Sequence, residues 1–143
     1  MDIRRYARDS TGGLRATSEG TLHLEWTKAA NGEWFDLDSM DIGTVARGWG
    51  VYVIWAPNGK PQLPGIVLKV GSGNITTRLS VERLNAELRW VGKVQLLVTW
   101  AVVDQAHHPG IVQYLSQQLH PYYFQTDAAT DLEAIPVNLP LSA

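Results

Sequence analysis

The segment that most limits what this chain can fold into runs from residue 50 to residue 84. Gly50-Val51-Tyr52-Val53-Ile54-Trp55 and Ile66-Val67-Leu68-Lys69-Val70 are β-branched and aromatic runs of strand length. Residues 57–65 between them hold three prolines and two glycines, which demands a loop. Gly71-Ser72-Gly73 stops the second run, and Asn74 is a good N-cap for a helix. Ile75, Leu79, Leu84 and Leu88 then follow roughly helical spacing towards Trp90. The order strand, loop, strand, glycine turn, helix leaves few architectures open.

The flanks extend this pattern. Residues 94–103 are an almost unbroken apolar run, consistent with a central strand. His108-Pro109 opens a second helix, with Ile111, Val112, Leu115 and Leu119 on one face and Pro121 as its stop. Upstream, Leu22, Leu24 and Trp26 alternate with polar residues. Asn31-Gly32 follows, and Trp34, Phe35 and Leu37 resume apolar character, which predicts a hairpin. Residues 38–46 suit a short helix, residues 1–20 read as a polar loop, and the prolines of 135–140 predict an extended tail. The expected fold is α/β in the α+β sense, with a small central, mainly antiparallel sheet flanked by helices. Strands fall at about 50–56, 66–71 and 94–103, and helices at about 74–89 and 109–120. We expect 1–143 to be one domain, with 1–49 an extension carrying the hairpin and 50–140 the core.

Composition removes several functions. There is no cysteine, hence no disulfide, thiolate nucleophile or cysteine-held zinc. No run of 18 apolar residues is present, and no apolar stretch follows Met1-Asp2-Ile3-Arg4-Arg5-Tyr6, so neither a membrane partner nor a signal peptide is expected and the cytoplasm is the default location. The net charge is −2, but its distribution is uneven. Residues 1–93 carry all 12 Lys and Arg against 10 acids, while 94–143 carry four acids and no Lys or Arg. A chain polarised in this way can offer one basic face to phosphates.

Gly50-Val51-Tyr52, then Lys69-Val70-Gly71, then Ser72-Gly73-Asn74-Ile75 leading to Arg78 and Leu79, occur in order and on suitable elements. With the helix at 115–121 and Asn138, they resemble the GIY-YIG nuclease family over about residues 50–140. The resemblance implies a nucleic-acid phosphodiesterase, an endonuclease-like domain acting on DNA with Mg²⁺ or Mn²⁺. It implies that Tyr52 lies beside the attacking water and that Arg78 meets the phosphate, a task for which a guanidinium fork is suited. Lys69 stands where the signature has its second tyrosine; there it would bind phosphate or lower the pKa of Tyr52. Gly71, Ser72, Asn74, Arg83 and Asn138 are the implied substrate contacts.

The same alignment puts Val112 where the family has its metal-binding glutamate, so the residues supply no metal ligand. Metal-dependent cleavage is then expected only if Asp104, Glu82 or another acid reaches the site. The alternative is a catalytically inactive nucleic-acid-binding module on the same fold, and a third reading is a homodimeric interaction scaffold. Plainer roles are open for several of these residues. Arg78 and Glu82 form an i,i+4 spacing that suits a surface ion pair. His107-His108 and His120 suit helix ends, and most of the six tryptophans suit the core.

Overall fold

The computed structural model describes residues 16–18, 21–57, 65–91, 95–123 and 133–140, with 16–18 and 89–91 described as backbone only. Of the expected polar loop at 1–20, residues 1–15, 19 and 20 lie outside the described residues and 16–18 form a strand, which corrects that part of the expectation; most of the loop at 57–65 also lies outside the described residues.

The central feature is a four-stranded antiparallel sheet in the order β3-β6-β4-β5. β4 (Trp49–Ala56) and β5 (Ile66–Asn74) form the hairpin that the two β-branched runs require. β6 (Leu97–Val102) pairs along the other side of β4, and β3 (Phe35–Asp36) closes the edge. A two-stranded ribbon, β1 (Ala16–Ser18) with β2 (Thr21–Leu22), stands apart.

Alternation along β4 divides the molecule into two cores. Val51, Val53 and Trp55 share one apolar cluster with Ile111, Val112 and Leu115 of α4 (His108–Leu119). Tyr52 and Ile54 belong to the other, with Ile75 and Leu79 of α2 (Ile75–Arg83) and Leu88 of α3 (Ala86–Val91). Successive strand side chains point to opposite faces, so α4 covers one face and α2–α3 the other. A short α1 (Ile42–Val45) lies beside α2, where the Ile75 amide donates to the Gly48 carbonyl at 2.9 Å.

Three further expectations are corrected. Gly71-Ser72-Gly73 does not stop the second strand, which pairs on with β4 as far as Asn74. The helix at 74–89 is two helices broken at Leu84 and Asn85. The Asn31-Gly32 turn forms and closes on itself, with Gly32 at φ +85, its amide bonded to Ala29 O at 2.9 Å and the Ala29 amide to Glu33 O at 2.9 Å, but no ladder between the two arms continues beyond that closure. Instead Thr27 N donates to Trp100 O at 2.9 Å, and Phe35 pairs with Val98, so both arms run along the free edge of β6. The tail is extended and returns to the N-terminal segment, where Leu22 and Val137 form a parallel bridge.

Candidate functional site

The site begins with an irregularity in β5. Ile54 pairs with Lys69 and Trp55 with Val67, which leaves Leu68 as the extra residue of a β-bulge. Downstream of it, Lys69, Gly71 and Gly73 oppose Ile54, Tyr52 and Gly50, on the α2 face of the sheet. Glycine is required at 71, because a Cβ there would lie 2.5 Å from the Tyr52 hydroxyl. Gly73, at φ +137, takes a backbone conformation that favours glycine, and a Cβ there would meet the Arg78 stem at 3.0 Å. The two glycines are thus the floor over which the Tyr52 and Arg78 side chains pass.

These groups converge on a residue the sequence offered only as a surface pair or a fallback acid. Glu82 has no exposed surface. Its Oε2 accepts from the Tyr52 hydroxyl at 2.8 Å and lies 2.7 Å from Lys69 Nζ and 3.6 Å from Arg78 Nη2. Its Oε1 accepts from Asn85 Nδ2 at 3.0 Å. Asn85 also caps α3, accepting from the Glu87 amide at 3.0 Å, so the residue that breaks the helix also completes the carboxylate's partners. The signal was legible: Ile75, Leu79 and position 82 lie on one helical stripe, which puts Glu82 on the buried face of α2.

Burial alone would raise the Glu82 pKa. The hydrogen bonds from Lys69, Asn85 and Tyr52, with the Lys69 charge, outweigh it and hold the carboxyl below its usual range. Tyr52 moves the other way. Burial, then the Glu82 charge and hydrogen bond, raise its phenol well above the usual value, against a smaller opposing pull from Arg78. The expectation that Lys69 lowers the Tyr52 pKa is therefore corrected, since Glu82 takes up the Lys69 charge. Towards solvent the cluster presents the Lys69 side chain, 19% exposed, and the Arg78 side chain, 39% exposed.

The other expected contacts separate from this cluster. Ser72 pairs with Val51, on the strand phase of the α4 face. Asn74 spends its side-chain oxygen on capping α2, accepting from the Thr77 amide at 3.0 Å. Arg83 is turned to the loop before α1, its Nε donating to Leu37 O at 2.9 Å and its Nη2 to Met40 O. Asn138 mimics a strand partner for Leu24, accepting from its amide at 2.6 Å and donating to its carbonyl at 3.0 Å. Val112, expected at the metal position, lies in the opposite core from Tyr52, so no side chain at 112 reaches the site. Asp104 follows β6, beside His107. His108 is buried, with Nε2 2.9 Å from Val103 O.

A divalent metal does not fit the residues present. Both oxygens of Glu82 are engaged, and a lysine ammonium stands 2.7 Å away where a cation would have to sit. Among the described residues no three His, Asp or Glu side chains group to hold a metal, and no helix is long and apolar enough to cross a membrane. No family model, curated protein or solved structure matches the chain.

Proposed function

We propose that this chain is a GIY-YIG-like nucleic-acid-binding domain that engages phosphate through Arg78 and Lys69 without cleaving it. One observation carries the reading: two cations and a tyrosine from three separate elements converge on a single carboxylate, leaving one excess positive charge at a partly exposed edge. Tyr52, Lys69 and Arg78 are the residues that the family resemblance implies for a phosphodiester site. Yet the phenol is held protonated and committed to Glu82, and the carboxylate is held as a saturated ion pair. Groups so engaged can attract and orient a phosphate but are poorly placed to activate water.

The test is fluorescence anisotropy with a labelled single-stranded DNA and its duplex across a salt series. Binding should be weak and fall steeply with salt, because phosphate contacts release counterions. Arg78→Ala should weaken it most and reduce the salt slope by about one for each phosphate the variant no longer holds. Binding that ignores salt and survives Arg78→Ala would sink the proposal. So would brisk DNA cleavage by the wild type that a chelator and Tyr52→Phe both abolish, which would instead establish the phosphodiesterase.

A further inference from the structure

Among the polar side chains described, Glu82 alone is a fully buried carboxylate, and it sits among groups that otherwise suit an incoming anion. Lys69 reaches it from β5, Tyr52 from β4, and Arg78 from one turn earlier on α2. An ammonium, a guanidinium and a hydroxyl directed at one oxygen atom are the donor set a phosphate oxygen recruits.

We propose that Glu82 is an internal stand-in for phosphate, a resident anion that holds Lys69 and Arg78 in place while attenuating the site's affinity for nucleic acid. The inference rests on the phosphate-binding reading and adds its regulation. Three consequences follow from the geometry. Tyr52 and Lys69 stay held without ligand by close bonds to Glu82, and Arg78 stays drawn towards it by charge. The cluster keeps one net positive charge where it would otherwise have two. An external phosphate approaching Lys69 from the solvent side competes with an ion pair already formed at 2.7 Å. Glu82 is therefore a positioning residue: it touches no ligand and acts through its two cationic neighbours.

Glutamine at 82 preserves the shape and the acceptor for Tyr52 and Lys69 but removes the negative charge. A labelled single-stranded oligodeoxynucleotide is titrated into wild type, Glu82→Gln and Arg78→Ala, each checked for folding by circular dichroism. Glu82→Gln should bind about tenfold more tightly than wild type at low salt, with a salt slope steeper by about 0.7, the value for one more phosphate neutralised on a single strand. A role that was merely structural would not steepen that slope. If Glu82→Gln does not fold, Glu82→Met replaces it and carries the same expectation. Unchanged or weaker binding by a folded variant of either kind overturns the inference. The binding reading falls separately, if wild type binds without regard to Arg78 or salt. Tighter binding by Glu82→Gln that disappears in Glu82→Gln with Arg78→Ala supports both.

Discussion

Lys69 Nζ stands 2.7 Å from Oε2 of Glu82, a strand lysine meeting a helix carboxylate that has no exposed surface. Removing one partner leaves the other charge buried without compensation, which costs far more than the pair itself contributes. Lys69→Met should therefore destabilise the protein by about 3–5 kcal/mol in urea unfolding. Adding Glu82→Gln should recover most of that stability, because no buried charge then remains. A double variant no more stable than Lys69→Met would show that the two side chains are not energetically coupled.

Gly71→Ala tests the floor of the site. The added methyl would lie 2.5 Å from the Tyr52 hydroxyl, so the ring or the strand must shift. Overpacking of this kind costs about 1–3 kcal/mol, and here it should also break the Tyr52–Glu82 hydrogen bond. The expected readout is a lowered melting temperature with a changed near-ultraviolet tyrosine signal. A control at Gly43, where a Cβ meets nothing within 4 Å, should leave that signal unaltered.

Stability should fall at both ends of the pH scale, for different reasons. Glu82 has a lower pKa folded than unfolded, so its contribution is present above the unfolded value, about 4.3, and is lost as pH falls through the folded one. Tyr52 has a raised folded pKa, so its contribution is present below the unfolded value, about 10, and is lost as pH rises from there towards the folded one. Glu82→Gln should flatten the acid limb and Tyr52→Phe the alkaline limb of a plot of unfolding free energy against pH. An acid limb unchanged in Glu82→Gln would show that other carboxylates set it.

Val112→Glu should create no site and should damage the fold. Val112 lies in the apolar core under α4, with Val51 and Val53 on the sheet face opposite Tyr52. An uncompensated carboxylate there should cost about 3–5 kcal/mol, against about 2 kcal/mol for the cavity left by Val112→Ala. Thermal unfolding of the two variants gives the ranking, and DNA cleavage with Mg²⁺ should not appear in either.

The three main strands and the two principal helices are legible in the sequence from their apolar runs and the residues beside them, Pro57 after the first hairpin strand and Asn74 and Pro121 around the helices; the glycines at 71 and 73 mislead, because they lie inside β5 and do not end it. What covers each face of the sheet is not legible. β4 reads Val51-Tyr52-Val53-Ile54-Trp55, apolar on both phases, and nothing in such a run says which helix meets which phase. Val112 is misplaced by sequence reasoning for that reason. The hairpin expected at 22–37 reaches no further than the Ala29–Glu33 closure of its Asn31-Gly32 turn, because the turn acts locally while the pairing of both arms is decided by the edge of β6, distant in sequence. Tyr52, Lys69 and Arg78 are neighbours, as the motif order requires. The carboxylate joining them is easily underrated, because an i,i+4 spacing suggests an exposed charge even where the position matches the stripe of Ile75 and Leu79.

The extra residue in β5 makes that strand unequal in what length changes it can tolerate. Ahead of Leu68, where Tyr122 N bonds to Val67 O, an insertion or deletion can be taken up by moving the irregularity along the ladder. Beyond it no slack exists. One residue added or removed between Lys69 and Gly73 would turn the lysine or the glycines to the α4 side, and the cluster would lose its cation or its floor in a single step. Natural length variation in this hairpin should therefore gather on the side of the loop at 57–65 and stop at position 68.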